Sequence, residues 1–75
     1  MNREIARGIT IDKRVRFGKP VIVGTRVPVN LVVAKIAAGM TMEEIMREYD
    51  LTRRQVQDAL RYAAAVVAEE ELAFA

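Results

Sequence analysis

Arg53, Arg54, Gln57 and Arg61 fall within nine residues of one segment, and of all the side chains in this 75-residue sequence they are the best equipped for chemistry. That chemistry is recognition rather than bond-making. Arginine presents a planar donor fork suited to guanine or phosphate, and glutamine suits adenine. At about 100° per residue on a helix, these four share an arc with Asp58, opposite Val56, Ala59, Leu60, Ala63 and Val67. The arc reads as a recognition face, with Arg53, Arg54 and Gln57 toward base edges and Arg61 toward phosphate. Asp58 opposes phosphate binding unless an Arg54–Asp58 pair at i, i+4 neutralises it. A solvated helix face carrying a few ion pairs gives the same pattern, and the residues alone leave both readings open.

Groups for bond-making are scarce. The chain has no histidine, cysteine or serine. Imidazole acid–base catalysis, thiolate or serine nucleophiles and Cys/His zinc sites are therefore excluded, as are disulfides. The carboxylates read as helix caps and surface residues, apart from the run Glu69–Glu71, so nothing suggests acids converging on a pocket. Gly18 to Gly24 has the wrong glycine spacing for a phosphate-binding loop and no following Lys-Ser/Thr. The expectation is a protein that is not an enzyme and needs no cofactor or metal.

The elements that must hold the recognition face are legible from their caps. Thr41-Met42-Glu43-Glu44 is a capping box, and Thr52-Arg53-Arg54-Gln55 is a second one eleven residues later. They predict a short helix to about Tyr49, a break at Asp50-Leu51 with Leu51 buried, and a longer helix from Arg53 through at least Val67. A short helix, tight break and longer helix form the helix-turn-helix pattern, which ordinary three-helix bundles also show. A first helix starts at Pro28, suited to a first turn because it lacks a donor, and stops at Gly39. That helix is apolar almost all round, so it is expected to be covered on more than one side.

Ahead of it, Ile9-Thr10-Ile11 and Pro20 to Val23 read as short strands, with Thr25-Arg26-Val27 a third candidate. Val21, Ile22, Val23 and Val27 would clasp the first helix, and the strand edges would be open to another subunit. Val21, Ile22 and Arg26 are accordingly expected as partner contacts. At the other end, Val56, Leu60, Ala63, Val67 and Phe74 form a seam that a partner helix could cover. Val67, Leu72 and Phe74 are the contacts expected there.

A single domain is expected over 1–75: a clasp over 1–27, three helices over 28–68 and a helical tail over 69–75. At this size a core is marginal, and a homodimer is the expected source of further burial. Residues 1–28 carry seven basic groups against two acidic ones, a balance of +5, whereas 29–75 carry five against eight, a balance of −3. Such asymmetry suits two partners, two ends of one self-association, or ordinary surface charge. The N-terminus shows no secretory h-region and no apolar run approaches the ~20 residues of a membrane span. A cytoplasmic location is the expectation.

Several of these stretches together resemble a small prokaryotic family catalogued as a domain of unknown function, number four-three-three. They are Ile9-Thr10-Ile11-Asp12, Arg16-Phe17-Gly18-Lys19-Pro20-Val21-Ile22, Gly24-Thr25-Arg26-Val27-Pro28-Val29 and Ala38-Gly39-Met40-Thr41, with Glu44-Ile45, Tyr49, Leu51-Thr52, Val56, Ala59-Leu60 and Tyr62-Ala63. The run from Gly18 to Val29 is the most specific. One departure is Tyr49-Asp50-Leu51-Thr52, where the family often reads Y-P-x-L-T; the shorter form would tighten the turn. The resemblance implies a mainly α, homeodomain-like three-helix bundle with a short β segment in front. It also implies, for some members, VapB-type antitoxins that repress their own operon and bind a toxin of PIN-like nuclease fold. A protein-interaction or dimerisation module without DNA binding is the alternative.

Overall fold

A computed structural model describes residues 3–74, with side chains over 3–70. A three-stranded antiparallel sheet precedes three helices. The strands are β1 (Arg3–Ala6), β2 (Ile9–Ile11) and β3 (Val21–Ile22), in the order β1-β2-β3. The helices are α1 (Val29–Ala37), α2 (Met42–Glu48) and α3 (Arg53–Phe74). The mainly α architecture with a small N-terminal β segment is therefore as the sequence predicts.

β1 is the element that residue patterning does not reveal. Its Arg3, Glu4 and Ile5 are exposed, so no alternation of buried and exposed side chains marks it. Backbone pairing holds it instead, Arg3 opposite Ile11 and Glu4 opposite Thr10, with an irregularity between Glu4 and Ala6. β3 pairs with β2 through Ile9–Ile22 and Thr10–Val21, which brings Ile9 and Ile22 side by side in the core.

The candidate third strand at Thr25-Arg26-Val27 is a turn. The Thr25 hydroxyl donates to the Ile22 carbonyl at 2.8 Å and accepts from the Val27 N–H at 3.0 Å. Threonine thereby closes locally a loop that a ladder would otherwise satisfy. The outer edge of β3 is closed as well. The Ile22 N–H reaches the Val27 carbonyl, the Val29 N–H reaches the Pro20 carbonyl, both at 3.0 Å, and Val21 bridges to Pro28. That edge is thus taken up within the chain, whereas β1 pairs on one side only, with β2, among the described residues.

Pro28 sits at the N-cap of α1, one position before the first helical residue. α1 ends in a Schellman motif: the Gly39 N–H bonds the Ile36 carbonyl and the Met40 N–H the Lys35 carbonyl, each at 3.0 Å. The left-handed residue this requires is Gly39, with φ 103°. The core gathers Ile9 and Ile22 from the sheet, Val29 and Val32 from α1, Ile45 from α2, Leu51 from the turn, and Val56 and Ala59 from α3. Burying side chains of this kind contributes roughly 1.5–3 kcal/mol each. α3 runs unbroken to Phe74, so the expected tail over 69–75 begins as a continuation of that helix.

Candidate nucleic-acid interface

Both capping boxes form. Thr41 accepts from the Glu44 N–H at 3.1 Å while Glu44 accepts from the Thr41 N–H at 2.8 Å. Thr52 and Gln55 repeat the arrangement at the same two distances. The accepted backbone hydrogen bond holds the Glu44 carboxyl below its ordinary pKa. Between the boxes, Asp50 takes the left-handed conformation at φ 53°, and the Leu51 N–H returns to the Met46 carbonyl at 2.9 Å. This is the αL-terminated helix end in which asparagine or aspartate can replace glycine. Leu51 is buried beneath it and fixes α2 against α3.

Arg53, Arg54, Gln57 and Arg61 are all exposed, as the wheel predicts. They are not equivalent. Arg53 Nη2 donates to Glu43 Oε2 at 2.8 Å, an ion pair spanning α2 and α3. That hydrogen bond is the main reason the Glu43 carboxyl titrates below its ordinary range. Arg54 and Gln57 make no side-chain hydrogen bond among the described residues.

Asp58 departs from the sequence reading. It is buried, only 7% exposed, and it pairs with Arg61 (Nη1 to Oδ1, 2.7 Å) rather than with Arg54. The cause is the β1–β2 turn, which covers this flank of α3. A Cβ placed on Gly8 would collide with the Asp58 carboxylate, so the backbone of the turn lies directly on it. The Gly8 carbonyl also accepts from the Val23 N–H at 2.8 Å, tying the turn after β3 to the same place. Exposed Arg7, the residue before Gly8, is thereby carried to the same helix at the level of Asp58, and exposed Arg26 sits in the turn that Val23 leads into. No helical wheel could show this, because it depends on a strand that the sequence does not advertise.

The expected partner contacts divide. Val21 and Ile22 are buried at 2% and 1%, so their side chains belong to the chain's own core and are not offered to a partner. Arg26 is exposed, with no ion-pair partner among the described residues; its carbonyl accepts from Arg16 Nε at 3.3 Å. Val67 lies beyond the core and is 51% exposed. The side chains of Leu72 and Phe74 lie outside the described residues.

Two features were not anticipated. An open apolar groove of about 720 Å³ runs between α1 and α3, lined by Pro20, Val29, Val33, Tyr62, Val66 and Val67 among others. Phe17, two residues before the lining residue Lys19, is fully exposed. Its backbone belongs to three consecutive left-handed residues, Arg16 (φ 52°), Phe17 (φ 57°) and Gly18 (φ 83°). The one sequence signal was an aromatic residue set among Lys13, Arg14, Arg16 and Lys19. Among the described residues, no three histidine, cysteine or acidic side chains converge as a metal site would require, and no helix is long and apolar enough to cross a membrane.

A family model described as protein of unknown function (DUF433) matches residues 9–63. Among solved structures, the crystal structure of Rv2018 from Mycobacterium tuberculosis is similar, with 35% identity and a TM-score of 0.63. The similarity covers 69% of this chain but 24% of that one, so the chain spans about a quarter of the length of the protein it matches. No curated protein matches the sequence.

Proposed function

The chain belongs to the DUF433 family, and from that premise we propose that it is a small DNA-binding repressor of the antitoxin kind. The observation that carries this reading is the exposed pair Arg54 and Gln57 on the first turns of α3. The two capping boxes and Leu51 hold that helix start in place, and the β1–β2 turn with Arg7 lies on the same helix at Asp58. Arginine and glutamine near the start of a helix suit guanine and adenine edges in a major groove, while Arg7 and Arg61 suit phosphate. The C-terminal end of α3, beyond the α1–α3 groove, where the sequence carries Leu72 and Phe74, would hold a toxin of PIN-like nuclease fold.

Gel shifts with the DNA upstream of the chain's own reading frame, at several salt concentrations, test the DNA half. A sequence-specific complex that weakens as salt rises is expected. Its absence would reject repression. A neighbouring reading frame of PIN-like fold would support the antitoxin half.

One observation favours a second reading, a protein-interaction module that binds no DNA. Arg53 and Arg61 are each paired with a carboxylate, Glu43 and Asp58, which leaves Arg54 as the one arginine of the face that is unpaired among the described residues.

A further inference from the structure

We propose that two copies of this chain associate about a two-fold axis, the Phe17 ring of each entering the α1–α3 groove of the other. Phe17 is the largest apolar side chain left wholly exposed among the described residues. Its backbone is strained: Arg16 and Phe17 both hold a left-handed conformation that non-glycine residues adopt at a cost. Such a turn presents the ring outward, and no side chain among the described residues covers it. The groove is the complementary feature, mostly apolar, with Val33 at 36% and Val67 at 51% exposure and only Lys19 and Asn30 polar among its lining residues apart from the Tyr62 hydroxyl.

Position and charge point to a second copy as the occupant. Lys19 and Pro20 form part of the groove wall, so Phe17 stands two residues from the groove of its own copy. A two-fold contact is made by one self-complementary patch, which requires knob and hole side by side. Arg16 and Lys19 flank the knob, and both are exposed. Exposed Glu69 and Glu70 lie just beyond Val66 and Val67 on α3. Each ring entering the partner's groove would bring its basic flank to the partner's acidic turn, twice per dimer. The opposite charges of the two halves of the sequence then become the two sides of one contact. Stable interfaces bury roughly 800 Å² per partner. An aromatic side chain supplies about 150–250 Å², so the apolar α1–α3 face must contribute the remainder.

The proposal does not rest on the DNA-binding reading, and its test uses no DNA. Sedimentation equilibrium of the purified chain at rising concentration should show a monomer–dimer equilibrium. Phe17→Asn, which suits the left-handed backbone, should raise the dissociation constant at least about tenfold, as for a central aromatic contact, with an unchanged circular dichroism spectrum. The chain has no cysteine, so Phe17→Cys and Val67→Cys, prepared separately and mixed under mild oxidation, should form a disulfide-linked pair far in excess of either variant alone. A chain that stays monomeric overturns the proposal and leaves the groove to a different protein. A dimer that tolerates Phe17→Asn overturns it too, as does a mixed cross-link no stronger than that of either variant alone.

Discussion

Gly8 and Asp58, fifty residues apart, meet where the β1–β2 turn crosses α3, with no room between them for a Cβ. The contact fixes the sheet to α3 and sets the position of Arg7. Gly8 is doubly required, since its φ is also 76°. Gly24 has a similar φ of 79° but open space around it. Gly8→Ala should therefore carry a conformational and a steric penalty, and Gly24→Ala only the first. About 1 kcal/mol is expected for Gly24→Ala, with roughly 1–3 kcal/mol more for Gly8→Ala from overpacking. Thermal melts of the two variants compare them directly, at about 4–8 °C per kcal/mol for a domain of this size.

The Asp58–Arg61 pair should respond unequally to loss of either partner. Asp58 is buried, whereas the Arg61 side chain is 59% exposed. Asp58→Ala leaves an arginine that water can solvate. Arg61→Ala leaves a carboxylate with little access to water, the costlier state. Arg61→Ala should destabilise by about 1–3 kcal/mol and Asp58→Ala by less, in urea melts. Equal losses would mean that Asp58 is hydrated.

How much of this was legible depends on where each signal lies. Thr41, Glu44, Thr52 and Gln55 announce their helix starts because capping is local chemistry between residues three apart. Leu51 could be placed for the same reason, lying between two such caps. Asp58 was misplaced because its burial comes from Gly8, distant in sequence and carried by a strand of exposed side chains. Val21 and Ile22 read as side chains that something must cover, and the chain's own core covers them; apolarity says that a side chain will be covered but not by which chain. Phe17 passed unremarked because exposure is a property of the folded chain.

Thr10 offers a stabilising substitution. It is buried at 6% exposure, and its hydroxyl has no hydrogen-bond partner among the described residues. A buried hydroxyl without a partner costs roughly 1–3 kcal/mol. Thr10→Val keeps the β-branched shape that suits β2 and should raise stability by about 1 kcal/mol. Unchanged or lower stability in chemical denaturation would show that the hydroxyl finds a partner, such as water.

Stability should be flat across neutral pH and fall only in acid. The chain has no histidine to titrate between about pH 5 and 8. Asp12, Glu43 and Glu44 are each held below their ordinary pKa, mainly by hydrogen bonds from the Arg14 backbone, the Arg53 side chain and the Thr41 backbone respectively. A depressed folded-state pKa gives stability that is complete above the unfolded value and lost as pH falls through the folded one. The decline should therefore begin as pH falls into the ordinary carboxylate range and be complete only below it, and it should be shallow, since Glu43 and Glu44 are exposed and Asp12 is only half-buried. Glu44→Gln keeps a capping acceptor that does not titrate, and should flatten the acid limb in melts between pH 3 and 7.

The recognition face makes the sharpest functional prediction, because its four polar residues differ in what already holds them. Arg54 is exposed and unpaired among the described residues, whereas Arg53 is engaged by Glu43. If α3 enters a major groove, Arg54→Ala should cost about 1–3 kcal/mol of binding to the specific site and relax base preference. Gln57→Ala should relax preference at a neighbouring position by a similar mechanism. Arg7→Ala should instead weaken specific and non-specific DNA alike and reduce the salt slope by about one. Arg53→Ala should do less than Arg54→Ala, and Glu43→Gln, by releasing Arg53, should strengthen binding. Fluorescence anisotropy on specific and scrambled duplexes at three salt concentrations separates these effects. Equal, small losses for Arg54→Ala and Arg53→Ala would mean that the face is only a solvated helix surface, and the interaction-module reading would take its place.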